Sequence, residues 1–132
     1  MATIPDQYTD LLSGKKAFAH IATVMKDGTP QVTPVWFDYA NGKLRVNTAR
    51  GRVKARTLRP GAPVALSIQD PDNPYRYLQV RGKVATTTES GADAHIDALA
   101  KKYLGQDKYP FRQPGEMRVI IEIEPSSAQG MG

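Results

Sequence analysis

Residues 17–48 read AFAHIATVMKDGTPQVTPVWFDYANGKLRVNT, and this stretch decides the fold. Its opening residues are apolar on both faces, which predicts a buried strand, and its middle is rich in β-branched and aromatic residues, which predicts another. Asp-Gly at 27–28 and Asn-Gly at 41–42 supply the positive φ angles that tight hairpin turns need. Three strands of an antiparallel meander are therefore predicted: Ala17–Met25, Gln31–Tyr39 and Leu44–Thr48.

The flanking sequence predicts three more strands and three helices. The further strands are Pro63–Gln69, Tyr77–Thr87 and Arg118–Glu124, and the helices are Pro5–Ser13, Gly51–Arg59 and Ser90–Leu104. Asp70–Pro74 and Gln106–Gly115 are typical of loops, and the tail Ser126–Gly132 is expected to be frayed. We predict a mainly β (α+β) fold, a six-stranded antiparallel split β-barrel with one long and two short helices, because closure removes exposed strand edges.

Composition limits the classes of protein that the chain can represent. Its 132 residues are 40% hydrophobic and 23% charged, which predicts one globular domain over residues 1–132. The absence of cysteine excludes disulfides, thiolate zinc sites and a cysteine nucleophile, and the two histidines, His20 and His95, lie on different predicted elements, so we expect no metal site. The first residues carry neither a basic start nor a long apolar run, so we expect a cytoplasmic protein without a membrane partner.

The excess positive charge is concentrated in one segment. The net charge is +5, and residues 39–69 contain no acidic residue. The same segment contains seven cations: Lys43, Arg45, Arg50, Arg52, Lys54, Arg56 and Arg59. Local charge of this kind indicates an anionic partner, either a phosphorylated small molecule or a nucleic-acid backbone. The alternative is a basic helix that is simply solvated.

Two segments carry chemistry. In QVTPVWF, residues 31–37, Pro34 cannot donate to a strand ladder, so neighbouring backbone groups are free to face a planar ligand, with Trp36 as a wall. The alternative is an ordinary edge strand beside a core tryptophan. In NTARGRVKAR, residues 47–56, a strand ends in polar residues and a helix begins with cations, which is a pattern that binds phosphate.

Motifs of classical catalysis are absent from the sequence. There is no P-loop, no dinucleotide-binding glycine pattern and no nucleophile elbow. If the chain is an enzyme, a cofactor is expected to carry the reactive atom, and we name no catalytic residue.

The order and spacing of three stretches resemble a known superfamily. ATVMKDGTPQVTPVWF, NTARGRVKARTL and PYRYLQVRG together resemble the flavin-reductase-like split barrels, which include pyridoxamine phosphate oxidase. Within that superfamily the chain looks most like small enzymes that use the deazaflavin coenzyme F420. The resemblance covers about residues 15–125. It implies a homodimer with cofactor sites at the interface, and an F420-dependent oxidoreductase that exchanges a hydride with a small organic substrate.

The resemblance also implies roles for particular residues. Arg52 and Lys54 would hold the cofactor phosphate, with Asn47 and Thr48 beside it. Residues 33–36 would line the ring, and two tyrosines would reach in from the second subunit. The residues so implied are Thr33, Pro34, Val35, Trp36, Asn47, Thr48, Arg52, Lys54, Tyr75 and Tyr77. The roles of Arg50, Arg56 and Arg59 stay open.

Three alternatives remain beside the F420 enzyme. F420 carries a phosphodiester and an oligoglutamate tail, which suits seven cations better than the single phosphate of FMN does. An FMN-binding split-barrel oxidase or reductase is the main alternative, and a cofactor carrier without catalysis is another. A small barrel that binds nucleic acid is the third. We expect no nucleic-acid partner, because the aromatic residues lie on separate strands and the cations form a patch rather than a groove.

Overall fold

A computed structural model of the chain describes residues 3–132 and contains one sheet of seven strands with three helices. The strands are β1 Ala19–Val24, β2 Pro30–Val35, β3 Asp38–Ala40, β4 Lys43–Ala49, β5 Pro63–Asp70, β6 Asn73–Thr88 and β7 Arg118–Met131. The helices are α1 Thr9–Ser13, which follows a 3-10 turn at Asp6–Tyr8, α2 Val53–Thr57 and α3 Ala92–Leu104. The prediction of a mainly β fold with an antiparallel sheet, one long helix and two short ones is confirmed.

The order of the strands forces the sheet to curl. The order is β2-β1-β5-β6-β7-β4-β3, and all neighbours are antiparallel. The edge strands β2 and β3 are nevertheless separated in the chain only by Trp36 and Phe37. A flat sheet would place its edges about 29 Å apart, at about 4.8 Å per strand. The step from Val35 to Asp38 spans at most about 10 Å. The two edges must therefore meet at this end of the sheet.

The six-stranded detail of the predicted split barrel is not confirmed: over the described residues the sheet has seven strands and is not closed. The predicted strand Gln31–Tyr39 is broken at Trp36 and Phe37, which gives seven strands, and within residues 3–132 no ladder joins β2 to β3. The break has a local cause. The side chain of Phe37 is fully buried, and its backbone N–H donates to the hydroxyl of Tyr103 on α3 rather than to a neighbouring strand. The sheet is thus split where its edges meet.

The carboxyl-terminal tail is ordered as a strand, so the expectation of a frayed Ser126–Gly132 is wrong. Strand β7 continues to Met131, which pairs with Tyr77. Strand β6 begins at Asn73, so most of the predicted loop Asp70–Pro74 is also strand. The longer β6 offers backbone partners that extend past the predicted end of β7, and for this reason the tail is held in the sheet.

The core lies inside the curled sheet, and a smaller apolar cluster lies under α3. On β6, Leu78, Val80 and Val84 point into this core and are buried. The second cluster consists of Ile96, Leu99 and Tyr103 on α3, packed against Trp36 and Tyr109. Helix α3 therefore covers the split between the edges. No helix within residues 3–132 has the length and apolar character of a membrane span.

Gly130 tests the packing of the tail. A methyl group at this position would collide with the ring of Tyr8, so Gly130→Ala should lower the free energy of unfolding by about 1–3 kcal/mol. The measurement is urea unfolding followed by circular dichroism. Gln129→Ala, at an exposed neighbouring position, is the control and should change stability by less than about 0.5 kcal/mol. Equal stability of the two variants would show that the tail does not pack on Tyr8.

Candidate functional site

A cavity of about 250 Å³ lies at the split of the sheet. It is formed where β2 and β4 end and where β7 begins, beneath α3. The residues that line it are Phe18, Pro34, Val35, Trp36, Asn47, Thr48, Arg52, Lys54, Ile96, Leu99, Tyr109, Phe111 and Arg118. The two segments that carry chemistry in the sequence therefore meet in one cavity.

Seven of the ten residues that the sequence analysis implies as cofactor ligands line this cavity. They are Pro34, Val35, Trp36, Asn47, Thr48, Arg52 and Lys54. Thr33 precedes them on β2 and does not line it. Tyr75 and Tyr77 are at the start of β6, and Tyr75 is 77% exposed. A role for these tyrosines requires a second subunit and stays a prediction.

Aromatic side chains form one wall of the cavity. The rings of Trp36 and Tyr103 are stacked, with centroids 5.3 Å apart and an angle of 6° between planes. Tyr109 meets Trp36 edge to face at 6.1 Å, and Phe111 continues the row at 5.7 Å from Tyr109. Stacked and edge-on aromatic contacts of this kind fix the orientation of each ring. The wall offers a flat apolar surface to a planar ligand.

Helix α3 holds the connection between the edges through two polar side chains. The Tyr103 hydroxyl donates to the Ala17 carbonyl at 2.6 Å and accepts from the Phe37 N–H at 3.3 Å. Lys102 Nζ donates to the Phe37 carbonyl at 2.9 Å. Burial raises the pKa of Tyr103 to about 12, so the hydroxyl keeps its proton at neutral pH. Both groups hold the backbone beside Trp36 in place.

The seven cations of the basic segment do not act as one patch. Arg52 and Lys54 line the cavity, whereas Arg45 makes a bidentate pair with Asp38 at 2.8 and 2.7 Å. Arg50 pairs with Glu89 at 2.9 Å. We expected all seven cations to suit one polyanion, but within this segment Arg52 and Lys54 are the two that line the cavity.

The electrostatics at Arg52 and Lys54 favour an anion. Burial lowers the pKa of Lys54, and the charge of Arg52 lowers it further. A bound anion would offset both effects, because it stabilises the protonated amine. Helix α2 is shorter than predicted, since Arg52 is extended and only Val53–Thr57 is helical. The case for a phosphate site therefore rests on the side chains and not on helix amides.

Arg118 is a third cation in the cavity, and the sequence analysis does not identify it. Its side chain is 3% exposed, and Nη1 lies 2.9 Å from Glu116 Oε1. The other oxygen of Glu116 lies 3.6 Å from Arg52 Nη2. Arg52, Lys54 and Arg118 line the cavity, and the Glu116 carboxylate contacts two of them, Arg52 and Arg118, which leaves a net charge of 3 − 1 = +2.

Asn47 lines the cavity, and three neighbours hydrogen-bond to its amide. Its Nδ2 group donates to the Ala92 carbonyl at 2.9 Å and lies 3.0 Å from His95 Nδ1. Its Oδ1 atom accepts from Arg118 Nε at 2.8 Å. Since both N–H groups point into the protein, the amide has no donor left for a phosphate in this arrangement. Asn47 holds Arg118 instead.

The side chains that the sequence analysis misses come from elements with weak local signals. Arg118 looks like the first residue of an alternating strand, and Tyr109 and Phe111 lie in a predicted loop. Ile96 and Leu99 belong to the apolar stripe of α3, which the sequence does reveal, but the stripe does not tell where the helix docks. A basic residue at the start of the last strand is the only local hint of Arg118.

A second cavity of about 310 Å³ lies against β1, β2, β5 and β6. Its lining contains Val24, Pro30, Pro63 and other small apolar residues, and Arg81 is its only charged member. Such a surface suits an apolar contact better than it suits an anionic ligand.

The chain matches one family model and several solved structures. The family model described as pyridoxamine 5'-phosphate oxidase matches residues 4–132. A solved structure of an F420 reductase is 37% identical, covers 96% of this chain and 98% of its own, and has a TM-score of 0.81. An FAD- and haem-binding protein from Mycobacterium smegmatis is 17% identical over 98% of this chain and 71% of its own, with a TM-score of 0.70. General Stress Protein 26 from Bacillus anthracis str. Sterne is 19% identical over 96% of this chain and 92% of its own, with a TM-score of 0.65.

Tyr103→Phe tests how the split is held. The change leaves the Ala17 carbonyl and the Phe37 N–H without their buried partner, so the free energy of unfolding should fall by about 1–3 kcal/mol. Tyr39→Phe is the control, because the Tyr39 hydroxyl makes no hydrogen bond within residues 3–132. The measurement is thermal and urea unfolding of both variants. If they match in stability, the Tyr103 hydroxyl does not hold the connection.

Proposed function

Because the chain belongs to the pyridoxamine 5'-phosphate oxidase family of flavin-binding split-barrel oxidoreductases, we propose that it is an F420-dependent reductase. Its cavity at the split would hold the coenzyme, with the ring against Trp36 and the phosphate against Arg52 and Lys54. The observation that carries the proposal is the 37% identity to an F420 reductase over nearly the whole of both chains.

The residues of the cavity fit such a group. The net charge of +2 suits a phosphodiester, and the Trp36–Tyr103 stack suits a planar ring. Pro34 and Val35 belong to the edge strand β2, whose outer backbone groups have no strand partner within residues 3–132. Backbone donors and acceptors on such an edge can pair with the polar rim of a ring system.

The catalytic contribution of the chain would be positioning. When bound, the coenzyme supplies a hydride from a ring carbon. Trp36 would cover part of the ring, and Arg52 and Lys54 would fix its phosphate, so that the substrate meets the ring in one orientation. Tyr109 and Phe111 would exclude water from the apolar side of the cavity, and Arg118 would place a positive charge at its floor. A small organic substrate with a planar or carbonyl-bearing group fits these surroundings.

FMN is the second candidate cofactor, and one observation favours it. Only two of the seven cations of the basic segment, Arg52 and Lys54, line the cavity, and Arg118 is the third cation there. This smaller positive charge also suits the single phosphate of FMN. The discriminating experiment is a parallel titration with F420 and FMN, followed by the oxidation of reduced F420 in the presence of quinones and enones.

Lys54→Ala should weaken F420 binding by about 1.5–3 kcal/mol, because a charged hydrogen bond to the phosphate is lost. Arg52→Ala should act in the same direction. Arg59→Ala is the matched control, since it removes the same charge from an exposed position of the same segment outside the cavity. Fluorescence titration measures all three variants. An equal loss in Arg59→Ala would assign the effect to overall charge, and unchanged affinity in Lys54→Ala and Arg52→Ala would refute the phosphate site.

We also propose that two copies of the chain form the complete site. The volume of about 250 Å³ lies below the range of about 300–1,000 Å³ that small-molecule sites usually have. The outer face of β1 and β2 exposes apolar side chains, of which Val32 is 63% and Val24 47% exposed, and Pro34 at the other end of β2 lines the cavity. A second copy that packs on this face would bury them and enlarge the site.

Val32→Glu should convert a dimer into monomers and weaken cofactor binding, because a buried carboxylate at the interface has no partner. Ala94→Glu adds the same charge on the exposed side of α3 and should leave both properties unchanged. Light scattering after size exclusion measures the mass. A monomeric wild type, or a Val32→Glu variant that remains dimeric, would contradict this arrangement.

A further inference from the structure

Two neighbours fix the orientation of the Asn47 amide, because one of them can only accept a hydrogen bond and the other can only donate one. The Ala92 carbonyl can only accept, so Nδ2 must face it at 2.9 Å. The Arg118 Nε–H can only donate, so Oδ1 must face it at 2.8 Å. Nδ2 then also points at His95 Nδ1, 3.0 Å away.

This orientation determines the proton position on His95. Because Asn47 offers an N–H, His95 Nδ1 must accept it and carry no proton. The proton of the neutral imidazole is then on Nε2, which donates to Asp38 Oδ1 at 3.2 Å. The side chain of His95 is 3% exposed, so water does not compete for either nitrogen. A continuous chain of hydrogen bonds thus runs from Asp38 through His95 and Asn47 to Arg118.

We propose that His95 is a positioning residue for Arg118 and that it acts, through Asn47, only in its neutral form. The effect on cofactor binding rests on the proposed function. The hydrogen-bond chain does not, because it is present in the protein without cofactor. His95 does not itself line the cavity, so its effect on the cavity passes through the Asn47 amide, which does.

Protonation of His95 would break this chain. A proton on Nδ1 would face the Nδ2 donor of Asn47, and two donors repel each other. Rotation of the amide would relieve this clash, but Nδ2 would then face the Arg118 Nε–H, and the Ala92 carbonyl would lose its donor. Arg118 would lose the acceptor that orients its Nε–H in the cavity, and its guanidinium would keep its contacts with Glu116 and the Tyr109 ring.

The charged groups around His95 come from each element packed against it. Asp38 on β3 accepts from His95 Nε2, and Arg45 on β4 pairs with the same carboxylate. Lys102, on the same helix as His95, interacts with Asp38, and Arg118 on β7 lies beyond Asn47. Burial raises the pKa of Asp38, but hydrogen bonds from His95 and Arg45 outweigh it and lower the value to about 2. Asp38 is therefore ionised throughout the range in which histidines change charge, about pH 5–8.

The first test uses the protein without cofactor. The Arg118 Nε–H signal in nitrogen-15 NMR, assigned by its absence in Arg118→Lys, should shift and broaden between pH 8 and pH 5. Its midpoint should equal that of the His95 ring protons. His20→Gln, which removes the exposed histidine, assigns the ring signals and should leave the midpoint unchanged. An Arg118 signal that ignores the titration of His95, or a His95 that does not titrate, overturns the proposal.

The second test measures cofactor affinity against pH in the wild type and in His95→Asn. Asparagine places its Oδ1 atom near the position of Nδ1, so it accepts from Asn47 but takes up no proton. Wild-type affinity for F420 should fall about tenfold or more from pH 8 to pH 5.5 relative to His95→Asn, with similar affinities at pH 8. Because both proteins bind the same ligand, the ratio of their affinities does not depend on any titration of the ligand. A simple attraction between the imidazolium and an anionic ligand predicts the opposite sign, so equal or tighter wild-type binding at pH 5.5 overturns the proposal.

The two tests separate this inference from the proposed function. If the wild type binds neither F420 nor FMN, the proposed function fails and the NMR titration still decides the role of His95. If the cofactor binds and the NMR signal of Arg118 is independent of His95, only the positioning role fails.

Discussion

Two residues, Trp36 and Phe37, join the two edge strands of a seven-stranded sheet, and the site depends on this short connection. The connection makes the sheet curl, since its edges cannot separate by more than the reach of two residues. It also prevents the edges from pairing, because the Phe37 backbone is bound to Tyr103 and Lys102 on α3. The cavity is the space that remains between unpaired edges beneath that helix.

The charge at the cavity is arranged before any ligand arrives. Arg45 and Arg50 are paired with Asp38 and Glu89, which removes them from the site. Glu116 lies between Arg118 and Arg52 and holds them near each other without cancelling their charge. Arg118 is held in place by Asn47 and Glu116, so its side chain would lose little entropy if an anion bound there. The same arrangement gives the half-buried Asn47 amide the task of holding Arg118.

The sequence predicts local structure well where a local signal exists. Turn dipeptides at 27–28 and 41–42 and the alternation in β6 place the strands, and residues 31–37 and 47–54 identify two sides of the cavity. What the sequence misses depends on long-range contacts. The break at Phe37 requires a hydroxyl 66 residues away, and the order of the tail requires the extended β6 as a partner. Arg118 and His95 carry no local signal, because Asn47 brings them together from different elements.

We propose that the cavity at the split holds an anionic redox cofactor, and a crystal structure of the protein with F420 decides this claim. The claim predicts ring density against Trp36 and the β2 edge, with the phosphate within hydrogen-bond distance of Arg52 and Lys54. Density at the apolar cavity between β1 and β6 instead, or a cavity at the split that stays empty at saturating cofactor, would contradict it.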